Sequence, residues 1–343
     1  MLVATKDKVI SLDTVGYADI AAKKKMEPNA MFWIASMTKP MTATALMMLV
    51  DEGKVNVDDP VEKYLPEFKG QMVDAGKDGD HPVSKKPGHP ILVRNILSHT
   101  SGLPPKSPKE KPTRDMLTLR DAAQSYAACR LQFDPGSSYK YCNAGINTAG
   151  RIIEVVSGMP YEQFMSERLF KPLGMTDTTF VPSEEQVQRL AKVYKANAEK
   201  TDLEETTINQ LFYPLTDPRR QPMPAGGLFS TASDVVKFAQ MILNNGVYEG
   251  KRYVSEAAVK QMSAKQTGDA NKANYGFGWQ LQPDSFGHNG AYRTNMTIDP
   301  QNGFVTVFMA HRADGWPDPD GPNLIQGIRS TALKLVSDTR KAD

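Results

Sequence analysis

Alternating hydrophobic and polar residues near both ends of the chain predict β-strands. Residues 2–17 have the pattern of a hairpin with its turn near Lys6-Asp7-Lys8. In the C-terminal third, strands are predicted at residues 275–282, 291–298 and 304–310. Because strands joined by short turns pair antiparallel, we expect the two ends of the chain to build one antiparallel sheet.

Helical spacing of apolar residues predicts two helices that flank this sheet. Residues 39–50 form an apolar run in which Pro40 is tolerated in the first turn. Near the C-terminus, apolar residues recur at helical spacing after Asn323, a candidate helix cap. These apolar residues are Leu324, Ile325, Ile328, Ala332, Leu335 and Val336. We expect one of the two helices on each face of the sheet.

Between these segments the pattern is helical with long loops, as at residues 144–157 and 161–169. The sequence therefore predicts an α+β fold. Residues 1–69 and 225–343 would form a subdomain with the sheet and its flanking helices, and residues 70–224 an inserted all-helical subdomain. The cleft between the two is the expected place for a site.

Ser36 and Lys39 are candidates for a nucleophile and its activator. A lysine three residues after a serine on a helix lies on the same face, so its amine can reach the hydroxyl. To act as a base, the lysine must be partly neutral, which requires burial or a nearby cation. A serine at a helix N-terminus also benefits from the positive end of the helix dipole.

The spacing alone is weak evidence, since about one such match is expected by chance in a chain of this length. Ser137 and Lys140 also fit it, but Asp134-Pro135-Gly136 precedes them and predicts a turn. Ser36 leads into the apolar helical run, which favours it as the nucleophile. Taken alone, Ser36 fits a simple helix cap as well.

Two further fragments supply chemistry that such a nucleophile needs. Tyr141 and Asn143 form the one Tyr-x-Asn of the sequence, and His288 and Gly290 the one His-x-Gly. A tyrosine beside a lysine can move a proton between nucleophile and leaving group. Gly290 lets the backbone approach a ligand closely, so that a neighbouring strand can offer an amide to an oxyanion. Taken separately, each of these residues also fits a structural role.

Together, these fragments resemble the serine hydrolases that include class C β-lactamases, penicillin-binding proteins, D,D-peptidases and β-lactamase-like carboxylesterases. The resemblance covers most of the chain. It includes Phe32-Trp33-Ile34-Ala35, Leu65-Pro66-Glu67-Phe68, Leu97-Ser98-His99-Thr100-Ser101-Gly102-Leu103, Pro172-Leu173-Gly174-Met175 and Ala225-Gly226-Gly227-Leu228-Phe229-Ser230-Thr231. It implies a β-lactamase/transpeptidase-like fold, and it makes His99 structural.

By this resemblance Ser36 carries the acyl group, Lys39 activates it, Tyr141 is the acid/base and Asn143 binds the lysine and a substrate carbonyl. The backbone N–H groups of Ser36 and Ala291 would form the oxyanion hole.

The third motif departs from the pattern of β-lactam specialists. His288 stands where those enzymes usually have lysine, and Asn289, before Gly290, where they have threonine or serine. We therefore expect the third motif to bind a substrate carboxylate more weakly, although Arg293 is close enough in sequence to bind it instead.

The composition is that of a globular enzyme. The chain has 343 residues, 40% of them hydrophobic, and can bury a large core. Its net charge of +2 gives no electrostatic footprint for nucleic acid. Lysine-rich stretches at residues 85–86 and 106–114 are interleaved with proline and acidic residues, and we interpret them as solvated loops, with a substrate lid as the alternative.

Neither a metal nor another cofactor is expected. Cys129 and Cys142 have no metal-ligand spacing and indicate no disulfide framework. We find no apolar run of membrane-spanning length and no secretory signal at the start, which predicts a cytoplasmic protein for the chain as it stands. Relatives often carry an export signal before this point, so export is the alternative if the start is truncated.

We therefore expect a serine hydrolase that forms an acyl-enzyme, with carboxylesterase activity on small or short-acyl esters as the first hypothesis. Esters suit a site without a strong carboxylate anchor, because an alkoxide leaves more easily than an amine. A β-lactamase or D-amino-acid peptidase is the enzymatic alternative. A penicillin-binding or scaffold protein without turnover is the alternative of another class. The expected partner is a small ester or amide, and the oligomeric state stays open.

Overall fold

The fold is described by a computed structural model that covers residues 1–111, 114–269, 271–313 and 321–342. Its strands are β1 (Leu2–Thr5), β2 (Val9–Leu12), β3 (Tyr17–Asp19), β4 (Lys24–Lys25), β5 (Phe32–Trp33), β6 (Val73–Asp78), β7 (His81–Lys85), β8 (Val193–Ala196), β9 (Leu203–Thr206), β10 (Phe229–Ser230), β11 (Val247–Tyr248), β12 (Lys251–Arg252), β13 (Gln280–Leu281), β14 (Phe286–Asn289), β15 (Asn295–Asp299) and β16 (Phe304–Phe308). The helices are α1 (Thr38–Asp51), α2 (Val93–Leu97), α3 (Leu119–Ala127), α4 (Asn143–Ser157), α5 (Tyr161–Met165), α6 (Glu184–Gln188), α7 (Ala232–Leu243), α8 (Glu256–Met262) and α9 (Gly321–Ala342). Among the described residues, no helix combines the length and apolar character needed to cross a membrane.

One six-stranded antiparallel sheet joins the two ends of the chain in the order β13-β14-β15-β16-β1-β2. The N-terminal hairpin is confirmed, and β1 pairs with β16 so that Leu2 lies opposite Val307. The predicted antiparallel sheet built from both ends of the chain is therefore confirmed.

Two of the predicted C-terminal strands are shorter than expected because the backbone turns within them. The predicted strand at residues 275–282 retains β13 only, since Gly278 has a φ of 77°. Residues Ala291–Arg293 form a 3-10 turn with a φ of 62° at Tyr292, so β15 begins at Asn295. A positive φ is incompatible with an extended strand.

Alternate residues of β1 face two different helices. Leu2 and Ala4 pack in the main core with α7, whereas Val3 packs with Ala332 and Val336 of α9. The C-terminal helix therefore covers one face, as predicted. On the other face, α7 packs directly on β1, β15 and β16, and the prediction that the Ser36 helix would lie there was wrong. Instead, α1 contacts α4 and α8.

Helix α1 is buried on all sides, which explains why its sequence is an apolar run rather than an amphipathic pattern. Every residue from Thr38 to Leu49 is buried. A helix that is apolar all round belongs in the interior of a large domain. It therefore carries Lys39 into the interior, with Ser36 in the turn directly before the helix.

Residues 70–224 contain α2 to α6, and α4 packs against α1, α2 and α3. The same segment also contains the hairpins β6-β7 and β8-β9. The domain boundaries at residues 69 and 225 stay a prediction. The interpretation of residues 106–114 as a solvated loop was wrong in part, because Ser107 and Glu110 are buried.

His311 connects three parts of the fold, although it lies in no motif of the sequence. Its ring is buried, Nε2 accepts the N–H of Trp33 at 2.8 Å, and Nδ1 donates to the carbonyl of Ala191 at 2.8 Å. This pair of hydrogen bonds requires a neutral ring, because Nε2 cannot accept a hydrogen bond while it carries a proton. Burial lowers the pKa of His311, although its contacts with Ala191 and Trp33 act in the opposite sense.

We expect the free energy of unfolding to fall as the pH drops below about 6.5, the ordinary histidine pKa. The unfolded chain takes up a proton there, whereas folded His311 stays neutral until lower pH, so the unfolded state gains stability. Urea unfolding of the His311→Gln variant should show a weaker dependence on pH between 7.5 and 5.5 than the wild type. His81→Gln, a change at an exposed histidine, is the control. An unaltered pH dependence in His311→Gln would contradict the assignment.

Candidate active site

Ser36 lies at the junction between strand β5 and the buried helix α1. The 3-10 turn Ala35–Met37 follows β5 and runs directly into α1. Ala35 has a φ of 47°, an uncommon conformation for a residue other than glycine, and the hydroxyl of Thr38 donates to its carbonyl at 2.7 Å. Backbone held in such a conformation is often found at functional sites. The helix start predicted around Ser36 is confirmed.

Lys39 is within hydrogen-bond distance of Ser36, as the spacing predicted. Its Nζ lies 3.0 Å from Ser36 Oγ and donates to the carbonyl of Ala225 at 2.6 Å. The side chain of Lys39 is buried, so its amine is removed from bulk water. Such burial favours the neutral amine that a lysine base requires. Ser137, by contrast, is exposed in a turn and donates to the carbonyl of Asp134.

The ring of Tyr141 lies beside the same amine, with Lys39 Nζ 4.6 Å from the ring centroid. Tyr141 comes two residues before α4, and its ring packs on His99 with a centroid distance of 4.4 Å. Tyr275 crosses it edge-on at 6.4 Å. The second motif therefore meets the first at Lys39, and two aromatic neighbours hold the tyrosine in place.

His99 holds the segment that carries Tyr141. Its Nδ1 accepts the backbone N–H of Cys142 at 3.1 Å. Burial lowers the pKa of His99 well below its ordinary value, and the nearby Lys39 and His288 act in the same sense. The ring is therefore neutral. This position agrees with the structural role that the sequence implied.

His288 is a neutral, buried neighbour of Lys39. Its Nδ1 donates to the carbonyl of Asn289 at 2.7 Å, so Nε2 accepts the hydroxyl proton of Tyr275 at 2.9 Å. Burial, followed by the nearby Lys39, lowers the pKa of His288 to about 3. The third motif therefore brings no positive charge to the site at neutral pH.

Gly290 lets the third motif approach the nucleophile. A Cβ at this position would lie 2.4 Å from the carbonyl oxygen of Ile34 and 2.0 Å from Thr294 Oγ1. No side chain fits there. As a result, Ala291 lines the same cavity as Ser36, as required if both residues donate their N–H groups to an oxyanion.

The cavity at Ser36 is small, about 30 Å³. Its lining includes Ser36, Asn143, Asn147, Gln210, Ala225 and Ala291, and none of the described residues that line it is charged. The side-chain oxygen of Asn143 is buried and finds no hydrogen-bond donor among the described residues. This acceptor is therefore available to a substrate that carries an N–H or O–H group.

Asn289 and Arg293 do not line this cavity. Asn289 is exposed, donates to Gln280 Oε1 at 3.2 Å and accepts from Asn295 Nδ2 at 2.8 Å. Arg293 is half-buried in the turn after Gly290, with a φ of 72°. The structure thus brings Ser36, Lys39, Tyr141, Asn143, His288, Gly290 and Ala291 together and leaves Asn289 and Arg293 at the margin.

A second, larger cavity, of about 600 Å³, is lined in part by sequence neighbours of a residue that lines the first. Gln210 lines the small cavity, whereas its neighbours Ile208 and Leu211 line the large one. The hydroxyl of Tyr292 donates to Asn209 Oδ1 at 3.0 Å, which ties this segment to the turn after Gly290. Residues 208–211 therefore contribute to the lining of both cavities.

Several residues of the site were not identified from the sequence. Tyr275, Asn147 and Gln210 carry no motif of their own. Ala225 belongs to a segment quoted for the family resemblance, but it acts through its backbone carbonyl, which the side chain does not reveal. The adjoining Gly226 and Gly227 were the available signal that the backbone here runs close to other atoms.

Comparison with known proteins identifies the family to which the chain belongs. A family model described as Beta-lactamase matches residues 1–328. Protein Rv1367c of Mycobacterium tuberculosis is 33% identical and is matched over 79% of this chain and 68% of its own length. A Salmonella agona protein named as a D-alanyl-D-alanine carboxypeptidase is 28% identical, over 83% of this chain and 70% of its own.

A solved structure adds to these relatives. EstCE1, a hydrolase with promiscuous acyltransferase activity, is 25% identical, and its match covers 98% of this chain and 92% of its own with a TM-score of 0.77. The predicted β-lactamase/transpeptidase-like fold is thereby confirmed. The family match includes all three motifs that meet at Lys39, and the chain therefore belongs to the beta-lactamase family of serine hydrolases.

Proposed function

We propose that this protein is a carboxylesterase that cleaves small or short-acyl esters through an acyl-enzyme on Ser36. The observation that carries the proposal is the 3.0 Å distance between Lys39 Nζ and Ser36 Oγ, with Lys39 buried. A serine hydroxyl needs an adjacent base to attack a carbonyl at neutral pH. The Tyr141 ring beside the same amine supports a shared proton.

In the acylation step Ser36 Oγ attacks the ester carbonyl carbon, and its proton passes to the Lys39–Tyr141 pair. The N–H groups of Ser36 and Ala291 stabilise the oxyanion of the tetrahedral intermediate. The intermediate collapses when the C–O bond to the alkoxy group breaks, and Tyr141 returns the proton to the departing oxygen. Water then attacks the acyl carbon by the reverse sequence and releases the carboxylic acid and Ser36.

The size and charge of the cavity favour a neutral ester with a small acyl group. The cavity beside Ser36, about 30 Å³, is much smaller than the cavity of about 600 Å³, which favours a small acyl group. His288 is neutral and the described lining residues carry no charge, so a substrate carboxylate finds no strong partner there.

Hydrolysis of an amide, as in a β-lactamase or D-amino-acid peptidase, is the second candidate. The unpartnered oxygen of Asn143 favours it, because this acceptor suits an amide N–H that an ester lacks. The Salmonella agona relative named as a carboxypeptidase supports the same candidate. A penicillin-binding protein without turnover would release one burst of product and then stop, whereas an esterase shows repeated turnover.

The first prediction is that Ser36 carries the covalent intermediate. A serine-reactive phosphonate should label Ser36, and Ser36→Ala should abolish both labelling and ester turnover. Peptide mass mapping locates the label. Ser137→Ala, at the other serine followed three residues later by lysine, is the control and should keep full activity. Label on Ser137, or turnover in Ser36→Ala, would contradict the assignment.

The second prediction concerns proton transfer by Tyr141. Tyr141→Phe keeps the ring that packs on His99 but removes the hydroxyl, so kcat should fall about 10²-fold or more with an unchanged melting temperature. Tyr139→Phe is the matched control, since Tyr139 packs on the same His99 ring at 6.0 Å. A large loss in Tyr139→Phe, with Tyr141→Phe near wild type, would reverse the assignment.

The third prediction addresses the substrate class. In kcat/KM the wild type should favour a neutral chromogenic ester over a chromogenic cephalosporin, and Arg293→Ala should change neither value strongly. One charge-assisted hydrogen bond contributes about 1.5–3 kcal/mol, or roughly 10- to 150-fold. Arg293→Lys, which keeps the charge, is the control. Efficient cephalosporin turnover that is lost in Arg293→Ala, while ester hydrolysis persists, would favour the β-lactamase alternative.

A further inference from the structure

The carbonyl of Ala225 determines where the amine of Lys39 points. It accepts from Nζ at 2.6 Å, a shorter contact than the 3.0 Å to Ser36 Oγ. A neutral amine has two N–H groups and one lone pair. When one N–H is committed to Ala225, the lone pair can face the hydroxyl of Ser36. The position of this carbonyl therefore determines whether the lone pair of Lys39 faces Ser36, as a base must.

Ala225 lies in a turn outside the regular strands and helices, so its position depends on side chains. The peptide bond between Pro224 and Ala225 is held at both ends. The hydroxyl of Thr42, one helical turn after Lys39, donates to the carbonyl of Pro224 at 2.7 Å. Asn147 of α4 accepts the N–H of Ala225 on its Oδ1 at 3.0 Å. Two helices thus clamp one peptide bond.

A buried polar network fixes the orientation of the Asn147 carboxamide. Its Nδ2 donates to the hydroxyl of Tyr126 at 3.1 Å, and that hydroxyl donates to the carboxylate of Glu110. The second oxygen of Glu110 accepts the N–H of Ser107 at 2.7 Å. Because the Tyr126 proton is committed to Glu110, its oxygen can only accept from Asn147. The amide oxygen of Asn147 must therefore face Ala225.

Gly150 provides a separate indication that α4 is shaped to meet this peptide. A Cβ at position 150 would lie 2.3 Å from Pro224 Cγ, and the ring of proline cannot yield as a flexible side chain would. Glycine in a helix interior lowers stability by about 1 kcal/mol relative to alanine. Its presence one turn after Asn147 is explained by the close approach of Pro224 to the helix.

We propose that Asn147 is a positioning residue for the catalytic lysine: it holds the Pro224–Ala225 peptide, which directly precedes the Ala225 carbonyl, so that this carbonyl aims the Lys39 amine at Ser36. Thr42 holds the same peptide from α1, and Tyr126 with Glu110 sets the direction of Asn147. The inference rests on the proposed acyl transfer through Ser36 and Lys39, and Asn147 acts on that reaction through the backbone at Ala225.

The experiment compares Asn147→Ala with Thr148→Ala in ester hydrolysis. Both residues are buried polar residues of α4, but the hydroxyl of Thr148 donates to Ala144 of its own helix. Asn147→Ala should lower kcat about ten- to a hundredfold with KM within about twofold, because misplacement of a catalytic group slows the chemical step. Thr148→Ala should keep the wild-type kcat, even where both variants melt at lower temperature.

The pH profile separates positioning from a loss of stability. A carbonyl accepts more strongly from an ammonium than from a neutral amine, so a displaced Ala225 favours the neutral amine. The acid limb of kcat/KM should move to lower pH by about half to one unit in Asn147→Ala. Among the described residues, the titratable groups beside Lys39 include Tyr141, Cys142, His99 and His288; burial raises the pKa of the Cys142 thiol to about 11, and both imidazoles are neutral at the pH of assay. The limb therefore reports the Lys39–Tyr141 pair.

Two variants keep the inference testable if Asn147→Ala does not fold. Thr42→Val preserves shape and releases the Pro224 end of the peptide, and Tyr126→Phe removes the acceptor of Asn147 Nδ2. Both variants should also shift the acid limb of kcat/KM to lower pH, by a smaller amount than Asn147→Ala. A profile that superimposes on the wild type in all variants, or an equal kcat loss in Thr148→Ala, would overturn the inference.

The proposed function has its own, separate failure. If Ser36→Ala retains turnover, the acyl-enzyme assignment fails whatever Asn147 does. If Ser36→Ala is inactive while Asn147→Ala matches the wild type in kcat and pH profile, only the positioning role is lost.

Discussion

The structure depends on the burial of a single amine. Lys39 enters the interior on a helix that is itself enclosed, and its Nζ meets Ser36 Oγ, the Ala225 carbonyl and the face of the Tyr141 ring. Placing an amine in the interior is costly unless partners receive its protons. The parts of the fold that surround it supply those partners. The helix α1, the start of α4 and the turn at Ala225 are thereby brought to one point.

The same burial sets the chemistry of the neighbouring histidines. His99 and His288 lie beside Lys39, and burial is the main reason that the pKa of each is lowered. A cluster with a lysine and two imidazoles thus avoids a concentration of positive charge. Neutral His288 also accepts a hydrogen bond from Tyr275, which packs against Tyr141. The third motif therefore contributes shape and hydrogen bonding.

The sequence predicted that Ser36, Lys39 and Tyr141 meet, and it did not predict the backbone contacts that hold them. These three residues have distinctive chemistry and lie in motifs, so their meeting could be inferred from the sequence. The Ala225 carbonyl could not, because every residue has one. Helix α7 was missed as the cover of the sheet, since an apolar helical run does not say which surface it contacts. Glu110 was misread because a charged residue between lysines and prolines usually lies in solvent, whereas here Ser107 and Tyr126 satisfy its oxygens.

The segment of residues 208–211 offers a place where the space for a substrate can change apart from the catalytic groups. Position 290 admits no side chain, and Lys39 is held by contacts with Ser36 and the Ala225 carbonyl, so changes there endanger the reaction itself. Residues 208–211 supply lining to a cavity of about 30 Å³ and to one of about 600 Å³. Substitutions in this segment would alter the shape of both cavities while Ser36, Lys39 and Tyr141 kept their places.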